Sequence, residues 1–122
     1  QRHYRAVVAL KKNPSEVNLW KCVVDFRGYK FKTLSGLPFT YTLKKGRGDE
    51  FTKELWIDRR EDSKSLAWSS VTLAYHNISK IGEIVDRPKA LGDIRGVSYI
   101  YGMFYRFGLI DVPGKVREQM SK

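Results

Sequence analysis

Few residues in this chain are of a type that does covalent chemistry. It contains 1 Cys, Cys22, and 2 His, His3 and His76. A disulfide framework is therefore excluded, and so are the usual Cys/His zinc sites. Cys22 falls in an apolar stretch with Trp20 and Val24, where a thiol packs as a small hydrophobe rather than acting as a nucleophile. His76 sits between Tyr75 and Asn77 on a predicted helix, and His3 lies near the start of the chain. Neither has a second histidine or a carboxylate at ligand spacing. Asp49-Glu50 and Glu61-Asp62 are adjacent pairs in predicted loops, with nothing to bring a partner for acid–base work. The expectation is a non-enzymatic chain with no catalytic residue, no cofactor and no metal.

Two glycine patterns suit anion binding. Gly46-Arg47-Gly48 lacks the third glycine and the following helix of a dinucleotide fingerprint, and reads better as a hairpin tip. Gly92-Asp93-Ile94-Arg95-Gly96 precedes a predicted helix whose first turn would offer free N–H groups to a phosphate. No Lys-Ser/Thr pair follows Gly96, so this is not a P-loop. Arg95, Gly96 and Ser98 are the candidate phosphate contacts there.

Charge is the strongest signal. The chain holds 23 Lys and Arg against 13 Asp and Glu, a net charge of +10 with a pI near 9.8. A domain this basic meets a polyanion more often than any other partner. Residues 1–60 carry 14 Lys and Arg against 6 Asp and Glu, whereas residues 61–122 carry 9 against 7. Within the first half, Lys30 and Lys32 share one face of a predicted strand. Lys44, Lys45 and Arg47 cluster at a loop, Lys53 lies on the next strand, and Arg59 and Arg60 end it. If these strands pair as neighbours, the eight side chains form one basic surface for phosphates.

The elements that would position these residues follow from periodicity. Tyr4 to Leu10 reads as a buried strand, broken by Asn13-Pro14-Ser15. In Val17 to Phe26, the alternation of Trp20, Cys22, Val24 and Phe26 reads as a second strand, turned by Arg27-Gly28. Tyr29 to Lys32 alternates aromatic and basic residues. A loop at Ser35-Gly36 and Pro38 follows. Phe39, Tyr41 and Leu43 then pair with Phe51, Leu55 and Ile57 across a hairpin whose tip is Lys44 to Asp49.

Beyond residue 60 the period changes to that of a helix. Asp62, Ser63 or Ser65 would cap a helix to about Ile81, with Ala67, Val71, Ala74 and Ile78 on one face. Pro88 opens a short helix through Leu91, stopped by Gly92. Ser98 caps a third helix, with Ile100, Tyr101 and Phe104 inward and Gly108 ending it. Leu109 to Val112 suits a last short strand, and Val116 to Lys122 a fraying tail. These helices follow a helix-turn-helix in outline. The third one, however, is aromatic and offers only Arg106, where a groove-reading helix presents several polar side chains.

The predicted fold is α+β: an N-terminal antiparallel β-sheet with hairpins, packed on a C-terminal three-helix segment. One domain is expected over 1–122, β-rich over 1–60 and helical over 61–122. Because the chain opens at Gln1, it reads as excised from a larger protein. The longest apolar runs, such as Ala6 to Leu10, are too short to cross a bilayer, so no membrane partner is expected. A lone cysteine suits a reducing, intracellular setting, here read as nuclear. The expected function is nucleic-acid binding, DNA rather than RNA, through phosphate contacts. The alternative is a protein-interaction or chromatin-reader module. It would bind an acidic partner or a histone tail through exposed aromatics such as Trp20 or Trp56.

Overall fold

In a computed structural model, which describes residues 2–58, 63–82 and 84–121, the chain opens with helices rather than strands. Helix α1 spans Arg2–Lys12 and helix α2 spans Glu16–Asp25. Both replace predicted strands, and the reason is visible in what they bury. In α2 the buried positions are Leu19, Cys22 and Val23, followed by the capping Phe26. That spacing is three, four and seven, which is one face of a helix. The alternation of Trp20, Cys22, Val24 and Phe26 is coincidental, because Trp20 and Val24 are only half-buried. Ser15 decides the conformation locally. Its side-chain oxygen accepts a hydrogen bond from the Asn18 N–H at 3.1 Å and caps the first turn. In α1, Leu10 is buried, and Ala6 and Val7 pack half-buried against the core at helical spacing.

Four strands form one antiparallel sheet in the order β1-β2-β3-β4. They are β1 Phe31–Lys32, β2 Pro38–Lys45, β3 Phe51–Asp58 and β4 Ser63–Ala67. The hairpin β2–β3 is the predicted one, with Tyr41 opposite Ile57 and Leu43 opposite Leu55. β4 lies where a helix is predicted to begin. Its Leu66 pairs with Leu55 and is buried, and Ser65 pairs with Trp56. One face of the sheet presents Phe39, Tyr41, Leu55, Ile57 and Leu66 to the core. The other face holds Thr42, Lys44, Glu54, Trp56 and Asp58, all exposed or half-exposed.

Helix α3 spans Trp68–Asn77, α4 Val97–Phe107 and α5 Gly114–Ser121. The predicted Pro88–Leu91 turn is a single 3₁₀ turn closed by Gly92. α5 occupies the predicted tail; Met120 is only 8% exposed and anchors it. The predicted strand at Leu109–Val112 is reduced to one parallel bridge, Ile84 to Asp111. The architecture is thus α+β, but its helices lie on both sides of the sheet in sequence. The C-terminal helices differ in their bounds from the predicted three.

The core sits between the sheet and helices α2 and α4. The Tyr41 hydroxyl donates to the Val23 carbonyl and ties β2 to α2. Phe26, Phe31 and Phe107 pack with ring centroids 5.0–6.2 Å apart. α4 is buried along most of its length, through Ile100, Tyr101, Gly102, Met103, Phe104 and Phe107. Gly102 lets it approach β1: a Cβ there would stand 2.5 Å from the Lys32 carbonyl oxygen. α4 begins one residue before the expected Ser98 cap. Gly96 takes the cap position at φ +81°, where a Cβ would also lie 2.6 Å from Leu66.

Candidate functional site

The basic residues singled out in the sequence do not form one sheet face. They fall into three groups, while Arg59 and Arg60 lie outside the described residues. The first group is at the hairpin end. Lys44 Nζ stands 3.9 Å from the Trp56 ring centroid, on the outer face. Lys45 is 3.8 Å from Asp49 and reaches the Phe51 ring, which Arg27 also covers at 5.0 Å. Lys53 lies 5.6 Å from the Trp20 ring and 5.7 Å from the Trp68 ring, and these two rings meet edge to face. Arg47 opens the 3₁₀ turn at the tip. The cations here rest on the protein's own aromatic faces, and Asp49, Glu50 and Glu54 dilute their charge. The rings thereby lose part of the surface on which a base or a methylated lysine would stack.

The second group is Lys30 and Lys32. They line a small cavity of about 160 Å³ with Gly102, Tyr105, Arg106 and Met120. The Arg106 side chain is oriented there by Tyr29: its Nε donates to the tyrosine hydroxyl at 2.8 Å.

The third group is the strongest. Arg95, Gly96 and Ser98 line a groove of about 670 Å³ between the start of α4, strand β4 and the β1–β2 turn. Three cations that the sequence reading did not select join them: Lys64, Arg87 and Lys89. Among the described residues, no Asp or Glu lines this groove. The rest of its lining is largely apolar, with Leu34, Leu37, Leu66, Ile94, Val97 and Tyr99. The first turn of α4 adds the positive end of its dipole. Gly96 supplies no side chain to cap that turn, and the Leu66 side chain stands against it. Lys64 was hidden by its assignment to a helix; as part of β4 it projects beside Leu66. Arg87 and Lys89 flank Pro88 only a few residues before Arg95. The proximity of Lys89 to Arg95 is the local signal for Lys89, whereas Lys64 and Arg87 reach the groove through packing.

The remaining reactive groups stay apart. Cys22 is fully buried and its thiol faces the Ala6 carbonyl at 3.2 Å. Burial, with a smaller contribution from Asp25, pushes its pKa up to about 12. Such a thiol carries negligible thiolate at neutral pH. Thiol reagents are therefore expected to label the native protein only as fast as it opens, checked by labelling rate against denaturant. Cys22→Ala is expected to change stability by only about 1 kcal/mol. His76 pairs with Glu16 at 2.6 Å across α3 and α2, on the surface and away from any nucleophile. Among the described residues, no three His, Cys, Asp or Glu side chains gather as a metal site. Likewise no described helix is long and apolar enough to cross a membrane. No family model, curated protein or solved structure matches the chain.

Proposed function

We propose that this chain is a non-enzymatic nucleic-acid-binding module that holds phosphates in the groove at the start of α4. The observation that carries the reading is the lining of that groove: Lys64, Arg87, Lys89 and Arg95 among largely apolar side chains, with no carboxylate among the described lining residues. Cations in a concave site attract a polyanion more strongly than the same charges scattered on a convex surface, because the low-dielectric walls focus the field. The apolar lining gives the bases or sugars a contact that a bare basic patch lacks. The hairpin lysines Lys44, Lys45 and Lys53 act as a secondary electrostatic surface.

An acidic peptide is the competing occupant. Trp20 and Trp56 support it less than the sequence suggested, since Lys53 and Lys44 already rest on their rings. Phosphate contacts leave a quantitative signature in salt. With four single-strand phosphates held, raising salt from 50 to 200 mM is expected to weaken binding by at least about 50-fold. The measurement is fluorescence anisotropy of a labelled oligothymidylate of about 15 nucleotides. Binding that is absent at low salt or insensitive to it overturns the reading. So does equal competition by a polyglutamate peptide of the same charge, which would assign the groove to an acidic partner.

A further inference from the structure

We infer that the groove is one end of a longer single-strand track, and that the Lys30–Lys32–Arg106 cavity is its other end. This rests on the reading above and extends it. Both cavities border the same two elements. The groove is lined by Gly96, Val97, Ser98 and Tyr99 of α4's start, and by Thr33 and Leu34 just past β1. The small cavity is lined by Gly102, Tyr105 and Arg106 further along α4, and by Lys30, Phe31 and Lys32 of β1 and its approach. The two sites thus follow one another along the seam where α4 meets β1. Gly102 makes that seam close, because its missing Cβ lets the Lys32 carbonyl sit against the helix.

From Val97 to Arg106 the helix advances about 14 Å at 1.5 Å per residue. The spacing suits several nucleotides of an extended strand and is too long for one phosphate. Among the described residues, four cations line one end, three line the other, and neither lining includes an acidic residue. The Tyr29 hydroxyl holds Arg106 in place at the second end, so this cation loses less side-chain freedom on meeting a phosphate than an untethered one.

A single strand fits the groove better than a duplex. A duplex keeps its bases paired and stacked inside, so only backbone would meet the apolar lining at Leu34, Leu37 and Tyr99. An unpaired strand can turn a base onto that lining while its phosphates meet the cations.

The test uses the whole chain and the same labelled oligothymidylate. With at most one phosphate per cation, seven in all, the wild-type protein is expected to lose up to about 900-fold in affinity between 50 and 200 mM salt. Lys30→Ala with Lys32→Ala removes two contacts. It is expected to reduce that salt effect to about 130-fold and to weaken binding by about 70-fold at 50 mM. Lys64→Ala with Arg95→Ala should do the same, and the four changes together should multiply. Thermal melting of each variant accompanies the titration, and unchanged melting excludes misfolding as the cause. If the Lys30/Lys32 pair is neutral while the Lys64/Arg95 pair weakens binding, the track is wrong and the groove stands. If both pairs are neutral, the groove reading itself fails. A duplex of equal length that competes as well as the single strand also overturns the track.

Discussion

Replacing Phe104 by alanine is expected to cost about 3–5 kcal/mol of folding stability, the range for removing a fully buried phenyl ring. Phe104 has no exposed surface. Its helix is enclosed on nearly every side, with Ile100, Tyr101, Met103 and Phe107 buried around it. The Tyr101 hydroxyl donates to the Val85 carbonyl and anchors the same helix to the segment before it. The loss would be a large share of the about 5–15 kcal/mol that stabilises a typical domain. Urea unfolding followed by circular dichroism measures it. In contrast, Lys44→Ala with Lys45→Ala removes two exposed cation–ring contacts, worth about 0.5–1 kcal/mol each, and the exposed Lys45–Asp49 pair. That variant should lose only about 1–2 kcal/mol, clearly less than Phe104→Ala. A Phe104→Ala protein within about 1 kcal/mol of wild type would contradict the placement of α4 in the core. The prediction also has a functional side. A helix with Ile100, Tyr101, Met103, Phe104 and Phe107 buried cannot enter a major groove, so α4 is left its first turn and the Tyr105–Arg106 side for contact with nucleic acid.

Reversing charge in the groove is expected to abolish most binding while leaving the fold intact. Lys64 and Arg95 are exposed, and among the described residues neither is in an ion pair. Losing their two phosphate contacts alone predicts about 70-fold weaker binding of a single strand at 50 mM salt. Glutamates at Lys64→Glu and Arg95→Glu add repulsion to that loss. The same double change tests geometry as well as charge, since the net charge falls equally if two glutamates replace Lys44 and Lys45. The groove variant is expected to lose far more affinity than the hairpin variant. Equal losses would mean that net charge, not the groove, attracts the polyanion.

Parts of this fold were legible from residue spacing, and the failures have physical causes. The β2–β3 hairpin follows from Phe39 and Tyr41 alternating opposite Leu55 and Ile57. The end of α4 at Gly108 follows from the left-handed conformation that only glycine adopts readily; its φ is +79°. α2 was misread because its residues satisfy two periods at once. Trp20, Cys22, Val24 and Phe26 alternate, while Leu19, Cys22, Val23 and Phe26 lie on a helical face. Over ten residues a run of apolar side chains does not choose between them. The Ser15 cap does, and it was read only as part of a break. β4 was missed because Ser63 to Ala67 is a weak strand on its own merits. It is held by pairing with β3, a contact that local sequence does not contain. The candidate site divides in the same way. Arg95, Gly96 and Ser98 could be read because glycine before a helix is a local signal. Lys64 and Arg87 join them only through tertiary packing, which brings β4 and the Pro88 turn to the same groove.

Backbone amide chemical-shift mapping locates the nucleic-acid contact on the surface. The ¹⁵N-labelled protein is titrated with the oligothymidylate at low salt. The largest shifts are expected on Gly96, Val97, Ser98 and Tyr99, with Lys64, Ser65 and Lys89 following, and smaller shifts at Lys44, Lys45 and Arg47. Shifts confined to the hairpin from Lys44 to Lys53, with residues 94–99 unmoved at saturation, would contradict binding at the groove.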